Sequence, residues 1–347
     1  MVGKYGVLRW ANATKFYFTF AVMVNITILA LRNAVLASIA DARYVFTMVN
    51  QFLTRVGKAP LFNVQLAADS AEVQLNNGLF CIRPDVLVDK VQNSNLIIIP
   101  ALAGDMISSN YLNKDYAHWI AQQYKSGAEV ASLCTGAFLL AFSGVLKGRE
   151  CSTHWQYANE LKHFYPSVKL VDEKVITDQN GLYSSGGSNA WWNLLIHLVE
   201  KYAGREMAIT TAKYFVIDID RNDQSPFIIF NGLKDHDDDV IKNVQVYIEQ
   251  NYTLKLTVHQ LAAMFNITRR TFERRFKSAT RHTVAEYIQR VKIEGAKKQL
   301  EIGRKSIAEV MIDTGYLDTQ TFRDVFKKIT GMTPVDYRNK YNKQAGG

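Results

Sequence analysis

Two sets of residues in this 347-residue chain have the types and spacing to do chemistry. The first is built on a cysteine. ASLCTGAFLL sets Cys134 between an apolar run that reads as a strand and a stretch that reads as a helix. That is the strand–turn–helix geometry of a nucleophile elbow, with the side chain exposed at a helix N-terminus. The positive end of the helix would lower the thiol pKa and favour thiolate. His154 follows in STHW, at the end of the next strand, where parallel strands could bring it near. Gly104 and Asp105, after the strand in IIIPALAGD, are placed as another wall of the same pocket. The plainer reading carries more weight on residue types alone. A cysteine in apolar surroundings is most often simply buried, and a lone histidine after a strand is ordinarily a hydrogen-bonded structural residue.

The second set is basic and repeated. TFERRFKSAT (Thr271–Thr280) recurs fifty residues later as TFRDVFKKIT (Thr321–Thr330). Each copy follows a short helical stretch and a tight turn. The first is VHQLAAMFNI, turning near Asn266, and the second is SIAEVMIDTGY, turning at Gly315. Asn and Gly tolerate the left-handed backbone such a turn needs. A helix, a tight turn and a second helix, present twice, make two helix-turn-helix units. In such a unit the second helix lies in the DNA major groove and its N-terminal face meets base edges. The first recognition helix begins near Thr268 and carries Arg269, Arg270, Thr271, Glu273, Arg274 and Arg275, with Phe272 and Phe276 inward. The second begins near Thr319, with Phe322 and Phe326 inward and Gln320, Thr321, Arg323 and Asp324 outward. Arg pairs bidentately with guanine, and Gln with adenine. Lys277, Lys327 and Lys328 sit where phosphate contacts are expected.

Charge supports that assignment. The chain holds 41 Lys and Arg against 32 Asp and Glu; from Val240 onward the counts are 20 and 10, leaving 21 and 22 before it. The whole basic excess therefore lies in the C-terminal third, which implies a polyanionic partner for that part alone. A helical bundle with a basic exterior would explain the charge but not the repeated motif.

The elements that must position these residues fall into two halves, and the length favours two domains. Up to about residue 230, strand-like and helix-like segments alternate. NLIIIP and AEVASL are short apolar runs typical of buried parallel strands. ECSTHW, SVKLVD, KVITD and GLYSS read as further strands, and SNAWWNLLIHLVEKYAG as an amphipathic helix ending at Gly204. This alternation predicts an α/β sandwich around a mostly parallel sheet. The Pro- and Gly-containing, acidic stretch Arg221–Asp239 breaks the pattern. The expected division is residues 1–230 as an α/β domain, 231–239 as a linker and 240–347 as an all-α domain.

The C-terminal third resembles the AraC/XylS transcriptional regulators. The resemblance rests on GYLDTQTFRDVFKKITGMTPVDYR, with Gly315, Tyr316, Phe322, Phe326, Lys327, Gly331, Thr333, Pro334, Tyr337 and Arg338 at its signature positions. It implies two helix-turn-helix units joined by a long helix, here Val284–Leu300, entering successive major grooves. Carried over by position, it places base contacts on Arg270, Glu273 and Arg274 in the first unit and on Thr319, Gln320 and Asp324 in the second. Asp324 departs from the family, which usually has Arg or Lys there.

The first half resembles the ThiJ/PfpI fold, a flavodoxin-like α/β sandwich of the class I glutamine-amidotransferase type. More closely it is similar to the version fused to AraC-type domains, the GlxA-like regulators. This rests on PALAGD, SLCTGAFLLA, STHW and SGG, and spans about residues 16–230. The resemblance implies a pocket around Gly104, Asp105, Cys134, Thr135, His154, Trp155, Gly186 and Gly187. Its enzymatic members pair the cysteine with an acid just after the first strand. This sequence has no Asp or Glu before Asp41, and the position falls near Leu36 or Tyr44 depending on register. PfpI-type proteases also have His directly after the cysteine, where Thr135 stands. The implied role is therefore a ligand sensor descended from an enzyme fold, with Cys134 and His154 vestigial, dimerising through the α/β half.

Cys81, Cys134 and Cys151 are few and widely spaced with no CxxC pattern, so neither a disulfide framework nor a zinc site is supported. No metal or cofactor is expected, and a reducing compartment, the cytoplasm, is the simplest home. Lys4, Arg9 and Lys15 before FYFTFAVMVNITILAL resemble a signal peptide. The run is short for a membrane span and carries Asn25 and several Thr, so it reads instead as a buried first strand leading into a helix. The leading expectation is a regulator binding double-stranded DNA as a homodimer under an unidentified small-molecule effector. Two alternatives stand beside it: an active amidohydrolase or glyoxalase-like enzyme tethered to DNA, and a thiol-redox sensor using Cys134.

Overall fold

The computed structural model describes residues 23–219, 223–234 and 236–342. The basic and aromatic start of the signal-like run lies outside the described residues. From Val24 the chain is the expected buried strand: β1 (Val24–Leu29) leads into α1 (Leu36–Arg55). Next come β2 (Phe62–Ala68), the hairpin of β3 (Val73–Leu75) and β4 (Phe80–Ile82), the short β5 (Val86–Leu87) and β6 (Leu96–Ile99). Two helices, α2 (Met106–Leu112) and α3 (Lys114–Lys125), precede β7 (Glu129–Ser132) and α4 (Ala137–Phe142). Then follow β8 (Glu150–Cys151), α5 (Ala158–Phe164), β9 (Lys169–Leu170), β10 (Ile176–Gln179) and β11 (Leu182–Ser185). Two helices close the half, α6 (Ala190–Ala203) and α7 (Arg205–Phe215), with Gly204 between them at φ +86°.

Seven strands form one sheet in the order β10-β11-β7-β6-β1-β2-β5. Every pairing in it is parallel except β10 with β11. β8 and β9 make a separate two-stranded ladder. The central strand β6 is Leu-Ile-Ile-Ile and wholly buried, as a strand covered by helices on both faces must be. Its register sets Ile98 beside Ile28 on one side and Ala131 on the other, which lines up the ends of β6 and β7 beneath the Cys134 turn.

The remaining chain is helical: α8 (Asp239–Gln250), α9 (Val258–Met264), α10 (Arg269–Thr280), α11 (Val284–Ile302), α12 (Ile307–Asp313), α13 (Thr319–Thr330) and α14 (Pro334–Tyr341). Their starts are written in capping residues. Thr257 with Gln260, Thr283 with Glu286 and Ser306 with Glu309 form reciprocal capping boxes. Asp318 caps α13, and Thr333 caps α14 with Pro334 in its first turn.

Two separate apolar clusters hold this half. One gathers Ile241, Val244, Ile248, Leu261, Phe272, Phe276 and Tyr287. The other gathers Ile293, Ala296, Leu300, Val310, Phe322, Phe326 and Tyr337. α11 supplies its first half to one and its second half to the other.

A strap of residues 223–234 joins the halves. At its start the carboxamide of Gln224 is buried in the α/β half, donating to the carbonyls of Asp172 (2.6 Å) and Thr153 (3.1 Å). Farther on, the Ile228 carbonyl accepts from Lys297 Nζ (2.5 Å), and Phe230 N donates to Glu294 (3.2 Å), both on α11. Lys297 and Glu294 pair with each other at 2.9 Å with little exposure, so the strap completes the hydrogen bonding of a buried ion pair. Gly232 lies against Tyr287 so closely that a Cβ there would come within 2.3 Å of the phenolic oxygen.

Candidate functional site

The Cys134 turn has the predicted backbone and a different electrostatic state. Cys134 adopts φ +53°, a left-handed conformation uncommon for a residue with a side chain. It is held on all sides: its N–H donates to Ser185 Oγ (3.1 Å), and its carbonyl accepts from Thr153 Oγ1 (3.1 Å). Thr135 Oγ1 donates to the Leu102 carbonyl (2.6 Å) and accepts from Leu102 N (2.9 Å), stitching the turn to the end of β6. At Gly136 a Cβ would stand 2.5 Å from the Pro100 carbonyl oxygen, so only glycine lets the helix pack this close.

The expected exposed, thiolate-favouring cysteine is overturned. Cys134 is only 4% exposed, and burial pushes its thiol up to about 11. N–H groups of Thr135 and His154 pull the other way without compensating for lost hydration. His154 is half-buried and its pKa is lowered by desolvation, so near neutral pH the imidazole is uncharged. Its Nδ1 accepts from Gln156 N (3.1 Å) and thereby caps the next turn. The arrangement is a protonated thiol beside a neutral imidazole. Asp41, the first acid in the sequence, accepts from Trp191 Nε1 at 3.0 Å.

Of the other pocket residues, Gly186 and Gly187 lie against the strap. Gly187 N donates to Gln224 Oε1 (2.8 Å), and a Cβ on Gly186 would meet that oxygen at 2.4 Å. Gln224 therefore occupies the space those glycines leave, and sequence reasoning did not single it out. Asp105 is exposed and caps α2, accepting from Ser108 N at 2.7 Å, with its pKa lowered by hydrogen bonding from the Ser108 hydroxyl and then its N–H. Gly104 precedes it at φ +80°. Trp155 lines a cleft between the two halves.

The helical half presents the second set of residues. Asn266 and Gly315 have the predicted positive φ, +53° and +75°, at the turns before α10 and α13. Phe272, Phe276, Phe322 and Phe326 are fully buried. On α10, Arg270, Arg274 and Lys277 are exposed and have no ion-pair partner among the described residues, while Arg269 Nε donates to Glu273 at 3.1 Å. On α13, Thr319, Arg323 and Lys327 are exposed, and Gln320 Nε2 donates to Asp324 at 2.9 Å. One basic residue differs from expectation. Arg275 turns back to Asp238, donating from Nε (2.8 Å) and Nη2 (2.6 Å), and so anchors α10 to the start of α8. Lys328 lines the cleft between the halves. The Arg275–Asp238 pair spans 37 residues and leaves no local mark.

Family models match separate parts of the chain. A DJ-1/PfpI family model matches residues 51–201, and a helix-turn-helix domain model matches residues 261–340. The HTH-type transcriptional regulator GbdR of Pseudomonas aeruginosa is 25% identical over 316 residues, 90% of this chain and 84% of that protein. The HTH-type transcriptional regulator GlxA of Rhizobium meliloti is 21% identical over 219 residues, 62% of this chain and 66% of that protein. A solved Vibrio parahaemolyticus protein, described as a transcriptional regulator, shares the fold with a TM-score of 0.50 at 18% identity, covering 55% of this chain and 98% of its own. In architecture, then, an α/β half matched by the DJ-1/PfpI family model is followed by a helical half matched by the helix-turn-helix domain model.

Proposed function

We propose that this protein is a sequence-specific, DNA-binding transcriptional regulator. The observation that carries the reading is the duplicated helix-turn-helix, each copy offering an outward polar helix from the basic third of the chain. Arg270 and Arg274 read bases in the first unit, with Arg269 and Glu273 beside them and Lys277 on phosphate. Thr319, Gln320, Arg323 and Asp324 form the reading face of the second unit, with Lys327 on phosphate. The working division is 1–230, a short linker 231–239, and 240–347. Genomic fragments enriched by the protein should share one operator, and their affinity should fall steeply with salt. Failure to enrich any sequence sinks the reading.

The α/β domain serves as sensor and dimerisation module rather than enzyme, in the cytoplasm. No helix of the described residues is long and apolar enough to cross a membrane. The buried, protonated Cys134 and the absence of Asp or Glu before Asp41 in the sequence support the non-enzymatic role. A thiol reagent should modify Cys134 slowly below pH 9 and faster towards about 11. Rapid modification at pH 7 would restore the enzyme and redox readings.

A further inference from the structure

A cleft of about 410 Å³ lies between the two domains, within the size range of small-molecule sites. The α/β side contributes Trp155 and Lys162, the helical side Arg281, Arg290 and Lys328, and the strap Ile228 and Phe230. Four Lys and Arg side chains thus face two acids, Asp172 and Glu286. Glu286 is already engaged, accepting from Thr283 N at 2.9 Å in the capping box of α11.

The cations are not neutralised by one another's neighbours. Arg281 Nη2 meets an imidazole nitrogen, His163 Nδ1, at 3.2 Å. Arg290 stacks on the Phe230 ring, 5.8 Å from its centroid. Lys162 and Lys328 have no ion-pair partner among the described residues. His282, in the same lining, is driven down to about 4 chiefly by burial, with Arg290 and Lys162 pushing the same way and Glu286 and Asp172 the other.

We propose that this cleft binds a small oxyanion, carboxylate- or phosphate-bearing, held between Lys162 of the α/β domain and Arg281 and Arg290 of the DNA-binding domain, with Trp155 against its body. Such a ligand touches both domains and the strap at once, so its binding energy is spent on holding them together. The site is separate from the Cys134 turn and does not depend on whether the helices read DNA.

The test uses the full chain with citrate, inorganic pyrophosphate and choline chloride as probes at matched ionic strength. At about 10 mM, citrate or pyrophosphate should raise the thermal midpoint by roughly 3–5 °C and choline should not. Lys162→Glu and Arg290→Gln, made separately, should each remove at least about half of that shift if both cations hold the anion. A response to citrate alone assigns a carboxylate, and to pyrophosphate alone a phosphate. No shift beyond the salt control overturns the proposal. So does a shift unchanged in both variants, which would place the anion on the exposed recognition helices.

Discussion

At an offset of fifty residues the two helix-turn-helix units have matching interiors and different surfaces. Phe276 meets Tyr287 edge-on at 5.3 Å, and Phe326 meets Tyr337 at 5.4 Å. Tyr287 donates to Glu249 (2.7 Å) and Tyr337 to Glu301 (2.6 Å). Thr280 and Thr330 each donate to the carbonyl four residues back at 2.8 Å. Outside, Arg269 and Arg270 of the first unit correspond to Thr319 and Gln320 of the second. The next outward pair is inverted: Glu273 and Arg274 against Arg323 and Asp324. Arg275, latched to Asp238, corresponds to Val325, which packs on the second apolar cluster. Packing constrains the interior to one solution, while the outer face is free to diverge towards different partners. Asp324 is then less an isolated oddity than half of a swapped pair, with the cation moved one residue earlier.

Four experiments bear on this comparison. Phe272→Ala and Phe322→Ala should each cost about 3–5 kcal/mol, because each leaves a cavity in a packed core. Hydrogen exchange should show protection lost only in the mutated unit's own cluster. Loss across both would mean that the units are one cooperative body. Arg274→Ala should then weaken binding to the selected operator by roughly 1–3 kcal/mol and relax one base position. A uniform loss on all sequences would reassign it to phosphate.

The C-caps form the third test. Gly331 and Arg281 are both left-handed, at φ +71° and +61°. A Cβ on Gly331 would fall 2.1 Å from Asp223 Oδ2, so Gly331→Ala should cost about 1–2 kcal/mol, partly rescued by Asp223→Ala. Arg281→Gly should instead be neutral or stabilising by up to about 1 kcal/mol. Matching losses at both positions would contradict the contrast.

The smallest effect concerns the polar latch. Arg275 holds the Asp238 carboxyl below its usual range. That contribution is complete above the unfolded value of about 3.9 and is lost as pH falls through the lower folded one. Exposure limits it to roughly 0.5–1 kcal/mol. Acid titration should loosen the first unit before the second, and Asp238→Asn should erase the difference.

Much of the fold was legible because its signals are local. The Ile run of β6, Gly204, Asn266 and Gly315, and the start of α10 at Thr268 all act within a few residues of themselves. The α/β site was legible as a backbone and misread as an electrostatic environment. The elbow motif predicts the φ of Cys134, but its pKa depends on burial by strands and loops far along the chain. Asp105, expected in the pocket, is a helix cap, and Gln224, in the irregular stretch that ends the α/β half, fills the space beside the SGG turn. A glutamine carries no motif; its role comes from carbonyls at Thr153 and Asp172, which only the folded chain assembles.

One helix has a geometric consequence for both units. α11 runs unbroken for 19 residues, and its two halves are built into the two cores. Each residue of an α-helix turns the chain by about 100° and advances it by about 1.5 Å. Removing one residue near Lys292 would therefore swing the second reading face about a quarter-turn around the axis while leaving both cores intact. α11 acts as a phase setter, and length changes within it are tolerable only in steps close to whole turns.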